Sequence, residues 1–405
     1  MSPAERNPDN DLDLVIVGGC GHVGLPLALS FADVGHKVGI YDLDAEKVER
    51  VRNGEMPFVE NGAQRLLSRL LPTGRLQFSS NADILARTDT VVLVIGTPID
   101  EFMNPSTRIF ERLADGLGTN LRQGALVILR STVYPGTTDL VRTRLWERGI
   151  RADVVFCPER IQEGRALEEI RSLPQLIGAS DDRGFERASD LFAMLDVEII
   201  RLGTREAELV KLLNNTWRYM KFAVANQFFE IAHRAGIDYN QVLYGIRHNY
   251  QRGADLPGPG FAAGPCLLKD TMQLAAFSPD HFPMGHAAML TNEGLPGYLI
   301  EVLEKRLPLD GRTVGILGMA FKGESDDPRT SLSYKLRKLA AFKGARVICT
   351  DPYVADPSFL PLDNVLAEAD VIIVAAPHMA YRDLDLGDRE VVDVWGITAG
   401  HRIRA

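Results

Sequence analysis

Two stretches that each read strand, glycine turn, helix and strand, with one long apolar helix between them, predict an α/β protein: two Rossmann-like parallel-sheet domains joined by a long-helix central domain. The length agrees, because 405 residues exceed what a single ordinary core organises. The boundaries expected from the changes of pattern are 12–203, 204–306 and 307–405.

The first unit opens on Leu12 to Gly18, an apolar run that reads as a buried strand. Gly19-Cys20-Gly21-His22-Val23-Gly24 follows as a turn, then a helix from Leu25 to Ala32 and a strand from Lys37 to Asp42. Further strands are expected at Thr90 to Ile95, Leu126 to Leu129 and Asp153 to Cys157. From Glu206 to about Ala235 the period changes to that of a helix, with Leu209, Leu212, Leu213, Trp217, Met220, Ala223, Val224, Phe228 and Ile231 recurring along it. These apolar residues occupy more than one face, so the helix is expected to be a dimerisation spine and the protein a homodimer. More helix is expected around Cys266 and from Thr291 to Lys305. The second α/β unit begins at Thr313 to Gly318 and continues with strands at Arg346 to Thr350, Val371 to Ala375 and Glu390 to Val394.

Composition narrows the function classes. With 45% hydrophobic and 24% charged residues, the chain lies in the range of soluble globular proteins. A formal net charge of −9 argues against a nucleic-acid or anionic-membrane surface. The apolar run around Val91 to Ile95 is far shorter than a membrane span, and the polar start lacks a signal-peptide core, so a cytoplasmic protein is expected. The four cysteines, Cys20, Cys157, Cys266 and Cys349, show neither metal spacing nor a disulfide framework. His281 and His286 flank a Pro-Met-Gly turn without a third ligand nearby, so no metal site is expected; His378 reads as a loop residue.

The turn at Gly19, Gly21 and Gly24 lies between a strand and a helix, the context in which glycine lets backbone amides approach a pyrophosphate at a helix N-terminus. Asp42, at the end of the next strand, would bind the ribose hydroxyls and repel a 2′-phosphate, which favours NAD over NADP. His22 and Val23 complete the turn, and Cys20 is read as a small residue beside the cofactor. Cys266 ends the thin loop Gly258-Pro259-Gly260-Phe261-Ala262-Ala263-Gly264-Pro265, and Lys269-Asp270 follows. A thiol there can add to an aldehyde, and the adduct can lose a hydride to become a thioester that water releases as an acid. Cys157 and Cys349, at strand ends, are read as buried small hydrophobes.

Several further motifs stand in one order. They are Gly96-Thr97-Pro98, Ser131-Thr132-Val133-Tyr134-Pro135-Gly136-Thr137-Thr138, Pro158-Glu159-Arg160, Glu208-Leu209-Val210-Lys211-Leu212-Leu213-Asn214-Asn215, and Phe321-Lys322-Gly323 through Arg329-Thr330-Ser331. With the first turn and the Cys266 loop, they make residues 12 to 398 resemble the UDP-glucose/GDP-mannose 6-dehydrogenase family. The resemblance implies NAD-dependent oxidation of a nucleotide-linked hexose at C6 to a carboxylate, with a UDP-sugar as substrate. It implies Cys266 as nucleophile, Lys211 stabilising the developing alkoxide, and Asn215 orienting it or a water. Lys211 and Asn215 stand one helical turn apart on one face. Asp270 would move protons with Lys211 through a water, Glu159 would position the hydrolytic water or act as base, and Thr132 would hold that water. Thr97, Pro98, Ser131, Thr132 and Arg329 would contact the cofactor. Glu159, Gly260, Phe261, Lys269, Phe321 and Lys322 would join Lys211 and Asn215 at the substrate. Arg252 matches an arginine that reaches the neighbouring subunit's sugar site, with Arg247 the competing choice.

The chain departs from the family at Ala262-Ala263-Gly264-Pro265, where paired glycines are usual before the nucleophile. Lys269-Asp270 resembles enzymes acting on UDP-glucose, the expected substrate. Pro158-Glu159-Arg160 and the spacing from Arg252 to Gly260 resemble the N-acetylhexosamine branch. A single-step dehydrogenase of the 6-phosphogluconate type and a non-catalytic UDP-sugar sensor are the rival readings.

Overall fold

The computed structural model describes residues 11–97, 100, 108–117, 119–279 and 281–398. It is α/β as expected, and divides into two compact units at Leu213/Asn214.

The first unit contains strands β1 (Leu14–Val17), β2 (Val38–Tyr41), β3 (Leu76–Ser79), β4 (Thr90–Leu93), β5 (Leu126–Leu129), β6 (Asp153–Phe156), β7 (Gln175–Gly178) and β8 (Ile199–Leu202). They form one sheet in the order β3-β2-β1-β4-β5-β6-β7-β8. All pairings are parallel except β6 with β7. Its helices are α1 (Gly24–Asp33), α2 (Ala45–Arg52), α3 (Ala63–Leu70), α4 (Arg108–Leu117), α5 (Thr137–Glu147), α6 (Ala166–Glu169) and α7 (Asp182–Ala193).

Every residue of β1 is buried, because helices cover both faces of the sheet. Leu14 and Ile16 join a core with Leu25, Leu29 and Phe31 of α1 and Phe192 of α7. Val15 and Val17 point the other way, into a core with Phe110 of α4 and Leu145 of α5. The order of the strands reverses between β1 and β4, so the loops leaving β1, β2, β4 and β5 share one edge of the sheet. Ligands bind at such a switch point in open parallel sheets.

Helix α8 (Thr204–Arg234) runs from the first unit into the second. The second unit holds α9 (Tyr239–Arg247), α10 (Leu267–Phe277), α11 (Pro283–Arg306), α12 (Leu332–Phe342) and α13 (Leu362–Glu368). Its strands β9 (Thr313–Leu317), β10 (Arg346–Thr350), β11 (Val371–Val374) and β12 (Glu390–Asp393) form a parallel sheet in the order β10-β9-β11-β12. Leu295, Leu299 and Leu303 of α11 share one core with Val314 and Ile316 of β9, which binds the helical middle and the last sheet into a single unit. Helix α11 begins eight residues before the expected Thr291. The Pro-Met-Gly segment beside His286 is its first turn, where proline's missing N–H costs no hydrogen bond. Among the described residues, no helix is long and apolar enough to cross a membrane.

Candidate active site

The turn after β1 is a cradle that side chains would fill. Gly18 has φ +75°, and a Cβ there would lie 1.9 Å from the Val94 carbonyl oxygen; at Gly24 it would lie 2.4 Å from the Gly18 oxygen. At Gly19 it would meet the Ile16 oxygen and Ile40 at 2.8 Å, whereas Gly21 meets only Gly18 O at 3.5 Å. Bare backbone followed by the N-terminus of α1 is the arrangement that receives a pyrophosphate, so these residues fit NAD. Val23 is the N-cap of α1, and His22 stacks on Phe58 at 4.1 Å. Asp42, leaving β2, accepts the Cys20 N–H at 3.0 Å and the Asp44 N–H at 3.1 Å, which fixes its carboxylate beside the turn. Thr97 follows β4 on the same edge, and Pro98 lies outside the described residues. Ser131, leaving β5, accepts the Ile95 N–H through Oγ at 2.7 Å, tying the ends of β4 and β5 together, and Thr132 comes next.

Two buried polar groups support this edge: Arg130, which no sequence motif named, and Glu208, which the sequence named as the first residue of a motif without a role. Arg130, 3% exposed, donates through Nε to Glu159 Oε2 at 2.6 Å, while Glu159 Oε1 accepts the N–H groups of Arg160 and Ile161 at 2.7 and 2.9 Å. Arg130 also donates to Gln175 Oε1 at 2.9 Å, so Glu159 is a held carboxylate with both oxygens engaged. A charge ending the apolar strand Leu126-Val127-Ile128-Leu129 was the available signal for Arg130. Glu208, in the first turns of α8, accepts from the Gly136 N–H at 2.6 Å, the Thr138 N–H at 2.9 Å and the Thr138 hydroxyl at 2.6 Å. It caps α5 and holds the far end of the Ser131–Thr138 loop. Burial pushes its carboxyl up, against these donors. Lys211 is buried one turn further along α8, and Asn215 lies four residues beyond it on the same side of the helix.

In the second unit, Cys266 is the N-cap residue of α10 and the one exposed cysteine of the four. Burial, reinforced by Asp42 and Asp44, pushes the Cys20 thiol up to about 12. Burial likewise raises Cys157 to about 12 and Cys349 to about 11, so these three are inert at neutral pH. One turn into α10, Asp270 is fully buried. It accepts from Asn215 Nδ2 at 2.5 Å and pairs with Lys269 Nζ at 2.8 Å. The structure therefore brings Asn215, Lys269 and Asp270 together beside the helix that Cys266 begins.

The cysteine loop is mounted at two glycines. Gly260 has φ +152°, and a Cβ there would lie 2.2 Å from the Trp395 ring; Gly264 has φ +99°, and its Cβ would lie 2.6 Å from the Phe321 ring. Phe261 is buried, edge-on to Trp395. Phe321 and Lys322 follow β9 at the switch point of the second sheet, with the Lys322 ammonium 5.7 Å from the Phe321 ring centre. Their loop is clamped from below. Asp351, at the end of β10, accepts the N–H groups of Met319 and Ala320 on Oδ2 and those of Tyr353 and Val354 on Oδ1. His378 is a buried strut and more than a loop residue: its Nδ1 accepts the Glu324 N–H at 3.0 Å, which leaves Nε2 to donate to Asp351 at 3.2 Å. Asp351 ends its strand as Asp42 does, yet its carboxylate is spent on its own loop. Arg329 forks onto Asp327. Arg252 is exposed over the Tyr250 ring at 5.8 Å, whereas Arg247 donates to the Leu256 carbonyl at 2.7 Å and holds its own chain.

Comparison with known proteins covers the chain almost end to end. Residues 13–196 match the NAD binding domain of the UDP-glucose/GDP-mannose dehydrogenase family, 205–293 its central domain and 315–399 its UDP binding domain. The chain is 30% identical over 383 residues to the UDP-N-acetyl-D-mannosamine dehydrogenase of Pyrococcus horikoshii, covering 92% of this chain and 91% of that protein. It is also 30% identical over 415 residues to the UDP-glucose 6-dehydrogenase of Haloferax volcanii, covering 94% and 96%. A solved structure of a UDP-glucose dehydrogenase from Pyrobaculum islandicum superposes with a TM-score of 0.89 at 32% identity, covering 97% of this chain and 96% of that one.

Proposed function

Because the chain belongs to the UDP-glucose/GDP-mannose dehydrogenase family, whose members are NAD-dependent nucleotide-sugar dehydrogenases, we propose that it oxidises the C6 alcohol of UDP-glucose to the carboxylate of UDP-glucuronate. The observation that carries the reading is Cys266: the one exposed thiol of the chain, at a helix N-terminus, followed by the buried Asp270 with its Asn215 and Lys269 partners.

NAD supplies hydride acceptance, two equivalents for each sugar. The chain's own residues do the rest. Lys211 stabilises the alkoxide that forms as the C6 hydroxyl loses its proton, and Asn215 orients the oxygen. The Cys266 sulfur bonds to the aldehyde carbon, giving a thiohemiacetal whose second oxidation leaves a thioester. Water then breaks the C–S bond, releasing the carboxylate and restoring the thiol. Asp270 moves the proton through water, and Thr132 holds that water. Glu159, fixed by Arg130 and two amides, orients the water from a stationary carboxylate. Lys322 and Phe321 hold the UDP portion and Gly260, Phe261 and Lys269 the sugar, while Arg329 faces a phosphate or the cofactor. The Arg247 contact with Leu256 supports Arg252, rather than Arg247, as the arginine that would reach a second copy of the chain. That copy is expected from α8, whose Trp217, Val224, Phe228 and Ile231 are 43–59% exposed and recur at spacings of seven, four and three residues.

A second reading, a UDP-N-acetylhexosamine substrate, is favoured by Pro158-Glu159-Arg160 and by the name of the Pyrococcus relative. NADH yield per sugar tests the chemistry: two NADH per UDP-glucuronate are expected, and a ratio of one refutes the covalent scheme. Turnover of UDP-N-acetylhexosamines with none of UDP-glucose selects the second reading. Cys266→Ser should stall with sugar esterified to the protein, and normal acid formation by that variant refutes the nucleophile.

A further inference from the structure

We infer that Asn226 is a positioning residue that holds the loop from Gly258 to Cys266, and through it the thiol, in working shape. Asn226 lies on α8 and is 0% exposed. Its carboxamide acts as a surrogate peptide group. Oδ1 accepts the Gly260 N–H at 2.8 Å, and Nδ2 donates to the Gly260 carbonyl at 3.0 Å. Nδ2 also donates to Asn292 Oδ1 at 3.0 Å, and Asn292, equally buried, spends its own amide on the Tyr219 carbonyl at 3.0 Å. The network admits one orientation, because a flipped Asn226 would set its NH2 against the Gly260 N–H and its oxygen against the Gly260 carbonyl.

Gly260 is where such an anchor matters. Its φ of +152° suits glycine, the Trp395 ring bars any Cβ, and the preceding Pro259 carries no N–H of its own. A residue with no side chain can be held only by its backbone, and Asn226 takes both backbone polar groups. The other mount is Gly264 against Phe321, leaving Phe261, Ala262 and Ala263 between the two, with Cys266 two residues beyond. Removing the Asn226 carboxamide releases the first mount while leaving the thiol, Phe321 and the NAD-binding unit untouched. It also leaves buried donors and acceptors unpaired, so the loop must move to satisfy them.

The inference rests on Cys266 being the nucleophile, and the test separates the two. The 405-residue chain carries one exposed thiol, so iodoacetamide labelling under native conditions reads Cys266 without using catalysis. In Asn226→Ala, kcat should fall about 10- to 100-fold and the labelling rate of Cys266 should change severalfold, with KM for NAD within about twofold of the parent. Asn226→Ser retains a hydrogen-bonding hydroxyl without adding a buried charge, so it should fall between the parent and alanine, and it carries the test should the alanine variant fail to fold. Parental kcat and labelling in Asn226→Ala overturn the inference. So does a loss of kcat that tracks thermal stability across both variants while labelling stays parental. Normal acid formation by a Cys266→Ala protein would instead remove the nucleophile reading and leave the labelling result standing.

Discussion

Replacing Asp351 with asparagine tests the clamp under the Phe321–Lys322 loop. The Asp351 side chain is 0% exposed. Burial pushes its carboxyl up, but hydrogen bonds from His378 and from the Val354, Tyr353 and Ala320 amides outweigh burial and hold it at about 2, against 3.8 unperturbed. At 1.36 kcal/mol for each pKa unit, that depression contributes roughly 2 kcal/mol to folding. Since the folded value lies below the unfolded one, the contribution is complete above 3.8 and is lost as the pH falls through about 2. Asparagine has no such titration. Whichever way its amide turns, it faces either the Met319 and Ala320 donors or the Tyr353 and Val354 donors with an NH2 group, leaving two part-buried N–H groups or one part-buried and one exposed N–H without the carboxylate as acceptor. A buried orphaned donor costs about 1–3 kcal/mol and a donor that water reaches costs less, so Asp351→Asn should lose about 2–3 kcal/mol at neutral pH. Trp395 lies in the core of the same unit, and in a Trp146→Phe, Trp217→Phe background its fluorescence follows urea unfolding of that unit alone. The parent should lose roughly 2 kcal/mol more than the variant between pH 4 and pH 2. Equal losses, or a neutral-pH difference below about 1 kcal/mol, would refute the clamp.

Arg130→Met should destabilise the first unit by about 3–5 kcal/mol, because it strands the buried Glu159 carboxylate, and Arg130→Met with Glu159→Gln should cost less than the two single changes added together. Urea unfolding followed by Trp146 fluorescence checks this, and additive costs would show that the pair is not coupled. If the proposed dimer forms through α8, Trp217→Glu with Phe228→Glu should convert it to a monomer in sedimentation without lowering NAD affinity; a sedimentation coefficient unchanged from the parent would refute α8 as a dimer interface.

Much of the architecture was legible because parallel strands covered on both faces are continuous apolar runs. Leu14 to Val17, Val91 to Leu93 and Val371 to Val374 could be read without tertiary information. β3, β7 and β8 were not: Leu76–Ser79 and Ile199–Leu202 mix polar residues into half-buried positions, and the antiparallel turn of β7 against β6 leaves no local mark. Motif residues were legible for a related reason. The chemistry proposed for Cys266, Asp270, Lys211 and the glycines of the first turn needs one chemical identity at each position, and identity is what a sequence records. By itself, then, the sequence determined the two sheets, the helical middle and the residue types that the proposed chemistry would use. Only the tertiary structure decided which polar groups hold those residues still. Arg130 on Glu159, Glu208 on the α5 N-terminus, His378 on Asp351 and Asn226 on Gly260 join residues that lie 27 or more apart in the chain. Pairing buried donors with buried acceptors is a condition on neighbours in space, and the order of residues along the chain does not specify those neighbours.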